Sequence, residues 1–202
     1  VRAALRRLGL PPRYLLYLGT IEPRKNVLTL LRAYCSLPAE FRERYPLVLV
    51  GGWGWNSADV AAYLDGEARH RGVLHLGYVP EVHVPALYNG ARALVFPSFY
   101  EGFGLPPVEM MACGGAVLAS TAGSLVETVG SRAHLVDPLD LDGWRAALLR
   151  VGQDDDWWRS LRRGVVELAR PYTWEQCAAD TLGVYRMLSG RAGRPRADAA
   201  AA

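Results

Sequence analysis

Lysine is nearly missing from this sequence: of its 23 basic residues, only Lys25 is a lysine. A composition that uses arginine everywhere else draws attention to that position but assigns it nothing. Cysteine is scarce too. Cys35, Cys113 and Cys177 are odd in number and far apart, which excludes a disulfide framework and the spacing of a metal-ligand motif. They are expected to be small buried apolar residues in a reducing compartment. No apolar run is long enough to span a bilayer, and the N-terminus lacks the apolar core of a signal peptide. No block of one charge dominates, since 23 basic residues stand against 20 acidic ones for a formal net charge of +3. The concentrated basic stripe of a nucleic-acid-binding protein is not found, and the arginines of 163–170 read as solvated surface. No G-x-G-x-x-G opens the first helix, which disfavours a dinucleotide dehydrogenase.

What is present is an ordinary globular balance, half hydrophobic and 21% charged, in a length that suits one well-cored domain better than two. The opening RAALRRLGLPP reads as a linker or the end of a preceding helix over 1–12, and a start at Val1 suggests an excerpt. Residues 190–202, rich in Arg, Ala, Gly and Pro without apolar periodicity, are expected to be disordered. Between them, 13–189 alternates two kinds of segment. Apolar runs of buried-strand type fall at 13–19, 46–52, 73–79, 91–98, 116–120 and 133–138. Helical spacing predicts helices over 26–37, 58–71, 80–89, 105–113, 124–129, 141–151, 155–169 and 174–188. Pro106 and Pro107 fit this pattern because they sit in a first helical turn, where a missing N–H costs little. Continuously apolar strands alternating with helices predict a parallel sheet of about six strands covered on both faces. The last three helices have no strands between them and are expected to cap an edge or reach towards a partner domain. Ligands of such sheets sit at the carboxyl ends of the strands, so the loops that follow strands are the candidates.

Four of these loops stand out. GTIEPRKN, at 19–26, places Arg24 and Lys25 at a helix start, where two cations beside free N–H groups suit a diphosphate. A solvated basic turn is the plainer alternative. VGGWGW, at 50–55, offers Gly51 and Gly52 for close approach of a ligand and Trp53 and Trp55 as pocket walls, though paired glycines are often just a turn. SFYEGFGLPPVE, at 98–109, brackets Phe103 with Gly102 and Gly104 before a helix and sets Glu101 and Glu109 with seven residues between them. Carboxylates accept paired hydrogen bonds from vicinal hydroxyls, which hexose and ribose both offer. Glu101 alone is equally a charge at a helix start. Glu109 lies in an otherwise apolar stretch that leaves surface charge a poor explanation. ASTAGSLVETVG, at 119–130, offers Ser120, Thr121, Gly123 and Glu127, with a capping box between Ser124 and Glu127 as the competing explanation.

In this order, these elements resemble the C-terminal, donor-binding domain of GT-B glycosyltransferases of the family-four retaining type. The resemblance covers roughly 13–188. It rests on G-x-x-x-x-R-K-N at Gly19, Arg24, Lys25 and Asn26, and on E-x7-E at Glu101 and Glu109 within P-S-x-x-E-G-F-G-L-P-x-x-E. GYVPEVHVPALYNGARALVFPS lies between them, and SLVET departs from the family's S-L-P-E-V by placing Val126 where proline is usual.

The resemblance implies a Rossmann-like half of a GT-B fold that binds a nucleoside-diphosphate sugar. Arg24 and Lys25 would hold the diphosphate, and Glu101 with the amides of Phe103, Gly104 and Leu105 would grip the transferred sugar beside Gly102. Glu109 would bind the ribose, and Gly19, Gly52, Ser120 and the backbone of Tyr78, Val79 and Pro80 would complete the donor site. Such an enzyme needs no metal ion or other cofactor. It transfers a hexose with retention by same-face attack, the donor phosphate helping to deprotonate a glycan or lipid-linked acceptor. It is cytoplasmic, with peripheral attachment at the inner membrane face a further expectation. The partner implied is an N-terminal acceptor-binding domain, towards which the last helix would turn Leu182, Tyr185 and Leu188. The wording GTIEPRKN resembles mannosyl- and rhamnosyltransferases of polysaccharide biosynthesis, which puts GDP-mannose first among donors and dTDP- or UDP-sugars next. A sugar-nucleotide epimerase of the same architecture and a non-catalytic nucleotide-sugar-binding module are the alternatives.

Overall fold

The strands at the middle of the sheet are apolar at every position, and the structure shows why they must be. The computed structural model describes the backbone of residues 2–192 and the side chains of residues 5–189. In β1 (Leu15–Leu18), Leu15 and Tyr17 enter the core on one side of the sheet, while Leu16 enters the core on the other. The same alternation holds in β2 (Leu47–Val50), where Leu47 and Leu49 oppose Val48 and Val50, and in β4 (Ala93–Phe96), where Val95 opposes Leu94 and Phe96. Side chains that point to opposite faces in turn must all be apolar when both faces are covered. With β3 (Val73–His75), β5 (Val117–Ser120) and β6 (His134–Val136), these make one sheet in the order β3-β2-β1-β4-β5-β6. Every pairing is parallel, with Leu15 opposite both Leu47 and Ala93.

Helices cover the two faces. In chain order they are α1 (Arg2–Arg7), α2 (Val27–Cys35), α3 (Ala39–Arg44), α4 (Ala58–Gly66), α5 (Val84–Gly90) and α6 (Leu105–Ala112). These are followed by α7 (Leu125–Val129), α8 (Leu141–Gln153), α9 (Asp155–Leu161), α10 (Val165–Ala169) and α11 (Trp174–Ala192). Leu30, Leu31 and Tyr34 of α2 and Trp144 and Leu148 of α8 lie in one core layer. Leu87 of α5, Met110 of α6, Leu125 of α7 and Val165 of α10 lie in the other, which Leu5 and Leu10 join. The chain divides into two compact units, 1–169 and 170–202. The first holds the whole sheet, and the second contains α11.

The structure differs from the sequence expectations at several points. The segment 155–169 is two helices, because Gly164 adopts φ +72° between α9 and α10. The short α3 forms where none was expected. Its sequence AEFRER is polar apart from Phe41, and that one buried ring holds it, packing on Tyr45 at a centroid distance of 5.5 Å. Gly152 of α8 admits Phe41, since a Cβ there would lie 2.4 Å from the ring. Helix α11 continues to Ala192, and 193–202 of the tail expected to be disordered lie outside the described residues. Of the cysteines expected to be buried, Cys35 is, Cys113 is half-buried and Cys177 is exposed on α11. Among the described residues, no helix is long and apolar enough to cross a membrane.

Candidate functional site

Strand order fixes where a ligand can sit. The connections from β1 and β4 run to opposite sides of the sheet, which leaves a crevice between the loops at their carboxyl ends. The loop after β1 closes with a 3₁₀ turn, Pro23–Lys25, and then Asn26 at φ +54°, ψ +34°. Asparagine is among the few side chains that tolerate this left-handed geometry. Its amide also binds the neighbouring loops, donating to the carbonyls of Pro97 at 3.0 Å and Pro138 at 2.7 Å. The Phe99 N–H donates to the Arg24 carbonyl at 2.7 Å. The loops after β1, β4 and β6 are thereby tied together through one buried residue.

At this junction the charged residues meet. Lys25 Nζ donates to Glu101 Oε1 at 2.6 Å, and an Arg24 terminal nitrogen donates to Glu101 Oε2 at 3.1 Å. Ser98 Oγ donates to Glu101 Oε1 at 2.6 Å, so the carboxylate receives three donors. Lys25 and Glu101 are only 8% and 6% exposed. Charges that deep are tolerable only when paired and hydrogen-bonded. Lys25 is further accommodated by the Phe96 ring, whose centroid lies 5.2 Å from Nζ. Arg24 is held differently. Its Nε meets Glu22 Oε1 at 2.5 Å and its side chain stays 44% exposed, whereas that of Lys25 is 10% exposed. The group thus holds two cations and two carboxylates, with Arg24 on its open side.

The supporting shell is almost wholly backbone and small hydroxyls. Ser98 and Ser120 are fully buried, and Ser120 Oγ donates to the Ser98 carbonyl at 2.5 Å. Ser120, expected to touch the donor, therefore supports the Glu101 loop from beneath in this conformation. Ser124 makes no side-chain cap on α7. The capping box with Glu127, the competing explanation for this loop, is not formed, because the Ser124 hydroxyl donates at 3.1 Å to the Glu101 carbonyl instead. Gly104 begins α6 at φ +91°, and Gly51 has φ +141° with no room for a side chain: a Cβ there would lie 2.0 Å from the Gly19 carbonyl oxygen. A Cβ on Gly52 or Gly102 would meet nothing within 4 Å.

Other expected site residues are placed apart from the cation cluster. Glu109 is exposed on α6, and its Oε2 accepts from the Tyr88 hydroxyl at 2.7 Å. Burial, and then the charge of Glu109, push the Tyr88 phenol well above its ordinary range, so it stays a donor. Tyr78 is exposed and Val79 buried, while Phe103 and Leu105 present exposed side chains beside Gly102. Trp53 packs edge-on against His75, which bonds the Gly51 carbonyl at 2.9 Å, and Trp55 is exposed. Sequence reasoning missed Ser98, Glu22, Tyr88 and the bridging part played by Asn26. Only Ser98 carried a signal, three residues before Glu101 at the end of an apolar strand.

Comparison with known proteins agrees with this fold. The sequence profile of the family described as "Glycosyl transferases group 1" matches residues 6–167. The chain is 44% identical over 176 residues to the O-antigen chain mannosyltransferase B of Escherichia coli, covering 87% of this chain and 46% of that protein. Its fold superposes on sucrose-phosphate synthase of Thermosynechococcus elongatus with a TM-score of 0.80 at 30% identity, covering 95% of this chain and 49% of the other. Anabaena HepE, solved with UDP and glucose, shares the fold with a TM-score of 0.76 at 22% identity, over 90% of this chain and 51% of the other. The chain therefore spans about half the length of each of these three proteins. With its six-stranded parallel sheet and this match over most of its length, it belongs to the group 1 glycosyltransferases and has the architecture of one half of a GT-B fold.

Proposed function

We propose that this chain is the donor half of a retaining hexosyltransferase and binds a nucleoside-diphosphate sugar in the crevice beyond β1 and β4. The observation that carries this reading is the convergence of Arg24 and Lys25 on Glu101 at the point where strand order reverses. The free enzyme keeps its cations aligned by pairing them with carboxylates, so they need no reorganisation when a diphosphate arrives. Arg24, on the open side, meets the diphosphate directly. The Lys25 ammonium has three protons and gives one to Glu101, which leaves it able to bridge the carboxylate and the phosphate. Both stabilise the negative charge that grows on the departing nucleoside diphosphate, and Glu101 accepts from the hydroxyls of the transferred sugar. Glu109 takes the ribose hydroxyls beside the Tyr88 phenol. No carboxylate is assigned as a nucleophile, because retention follows from attack on the face the leaving group departs from. The acceptor hydroxyl is oriented by a second domain, and its proton passes to the donor phosphate.

The similarity to a mannosyltransferase supports mannose as the sugar, with guanine the first base to test, and a glycan or lipid-linked acceptor. Calorimetric titration with nucleoside diphosphates of the common bases tests the donor site in this chain alone. One of them is expected to bind at least about tenfold more tightly than its parent nucleoside, through charge-assisted phosphate contacts. Equal affinities for nucleoside and diphosphate would refute the placement. Without an acceptor-binding half this chain is expected to show almost no transfer, because orientation of the reacting groups supplies a large share of enzymatic rate.

A further inference from the structure

At the opposite end of the sheet lies a cleft of about 460 Å³, and its character is cationic. Residues just before four strands line it: Arg13 before β1, Tyr45 before β2, Arg92 before β4 and Gly115 before β5. In a parallel sheet these all lie at the amino ends. Residues 13–19 of the β1 segment rise about 3.3 Å each, which puts the cleft roughly 20 Å from the crevice where Glu101 sits. Arg44, from the end of α3, and Arg162, which follows α9, complete the ring of arginines, and Asp155 is the one acidic side chain lining the cleft among the described residues.

The arginines fall into two classes. Arg92 is committed to the fold. Its Nε donates to the Val151 carbonyl at 2.7 Å, it pairs with Asp155 at 2.5 Å, and its guanidinium lies 4.0 Å from the Trp158 ring centroid. Arg162 stacks on Trp158 as well, at 4.4 Å, and its Nε donates to the Gly114 carbonyl. That fixes the guanidinium plane but, among the described residues, engages none of its terminal nitrogens. Arg44 lies over the Tyr45 ring at 5.4 Å. Among the described residues, Arg13, Arg44 and Arg162 have no acidic partner, and all are exposed. Guanidinium groups held on aromatic rings, aimed into a concavity and left unneutralised form a fork for a polyanion, since two terminal N–H groups of each match paired phosphate oxygens. Like charges gathered from four separate segments repel one another, and an anion between them removes that cost.

We propose that this cleft is a second anion site, distinct from the donor crevice, which takes a phosphoryl group presented by a small soluble phosphate ester or by a phospholipid headgroup. Tyr45 and Trp158 form its aromatic floor, Arg44 and Arg162 grip the phosphoryl oxygens, and Arg13 adds long-range attraction. Asp155 sets the limit on charge by forming an ion pair with Arg92 and leaving the other cleft arginines without one among the described residues. The inference does not depend on the donor reading, because none of the arginines, Asp155 or the two rings it invokes belongs to the donor crevice; Tyr88, which also lines the cleft, gives its hydroxyl to Glu109.

The Trp158 indole N–H donates to the Arg92 carbonyl at 2.7 Å, which makes its nitrogen–proton NMR signal a local reporter. Pyrophosphate titrated at constant ionic strength is expected to shift that signal saturably. The double variant Arg44→Ala/Arg162→Ala should weaken the response at least about tenfold, and Arg44→Gln alone should weaken it less. Asp155→Asn should strengthen it, while Arg24→Ala, at the far end of the sheet, should leave it unchanged. Cosedimentation with vesicles of phosphatidylcholine, alone or mixed with phosphatidylglycerol, separates the two sources. Binding to the mixed vesicles that the double variant abolishes assigns a headgroup, and its absence alongside a saturable pyrophosphate response assigns a soluble ester. A Trp158 signal unmoved by both probes, or moved equally by chloride or in the double variant, would overturn the proposal.

Discussion

The two ends of β1 handle positive charge in opposite ways. At the carboxyl end, Arg24 and Lys25 are matched by Glu22 and Glu101, and the central pair is buried at 2.6 Å. At the amino end, arginines collect around a single aspartate and rest on aromatic rings in the open. Burial explains the contrast. Desolvating Lys25 without Glu101 would be too costly, so that end must carry its own counter-charge. Exposed guanidinium groups are screened by water and can wait for a ligand to neutralise them. One end is thus a closed electrostatic unit, and the other is open and under-neutralised.

The sharpest way to break this comparison is to remove the central carboxylate. Glu101→Ala leaves Lys25 buried without a partner and is expected to cost about 3–5 kcal/mol of unfolding free energy, measured by urea denaturation. Pairing it with Lys25→Met should recover most of that loss, since an apolar replacement of both partners removes the uncompensated charge. A loss below about 1 kcal/mol for the single variant would mean that the end behaves like an exposed pair and that the contrast is false.

A gentler change asks whether the closed unit is also the reactive one. Glu101→Gln keeps the side-chain shape and an acceptor for Lys25 but loses the charge. In this chain joined to an acceptor-binding half, transfer is expected to fall by roughly one to two decades, the equivalent of about 1.5–3 kcal/mol for a charge-assisted hydrogen bond. The fold should persist, as circular dichroism would show. Transfer close to wild type would remove Glu101 from the sugar site. Arg24→Ala, on the open side of the same cluster, should weaken binding of a nucleoside diphosphate by about tenfold or more through lost phosphate contacts. Binding of the parent nucleoside should be unchanged in the same titrations, and an equal loss for both ligands would place Arg24 outside the diphosphate site.

The same contrast explains what was legible in the sequence. The carboxyl-end cluster draws on two short contiguous motifs, because loops that follow adjacent strands carry their ligating residues within a few positions of each other. Arg24, Lys25 and Glu101 could be found that way, as could the strands, whose apolar runs follow directly from burial on both faces. Strand order could not, since nothing local encodes it, and so the contact between 24–25 and 101 was not foreseeable from either motif alone. Hydroxyl partners are hidden for a related reason. Ser124 fits a capping box by spacing, yet a tertiary partner, the Glu101 carbonyl, claims its proton. Ser120 looked like a ligand contact but points inward to Ser98. The amino-end arginines left no trace, because Arg13, Arg44, Arg92 and Arg162 are separated by dozens of residues and converge only through the parallel sheet. The reading of the arginines in 163–170 as solvated surface agrees with the exposure of Arg163 and Arg170, while Arg162, just before that segment, stands beside three distant arginines.

The smallest expected effect belongs to Asp155, and it tests whether the amino end is as loosely bound as the comparison claims. The carboxyl of Asp155 is held below its ordinary value of 3.8, first by the hydrogen bond from Arg92 and then by that arginine's charge, with Arg159 and Arg44 adding to it. A carboxyl whose folded value is depressed stabilises the fold above its unfolded value, and that contribution disappears as pH falls through the folded one. Asp155→Asn keeps an oxygen for Arg92 but cannot titrate. The difference in Tm between wild type and this variant should therefore be small and constant from neutral pH down to about 4, the ordinary carboxylate range, and should close below it. Salt should shrink the gap at neutral pH, because the aspartate is exposed and the pair is screened. A gap that survives strong acid would mean that Asp155 acts through packing and not through charge. A gap as large as that of Glu101→Ala would show that both ends of β1 are built alike, and the contrast between a closed carboxyl-end cluster and an open arginine cleft would fall.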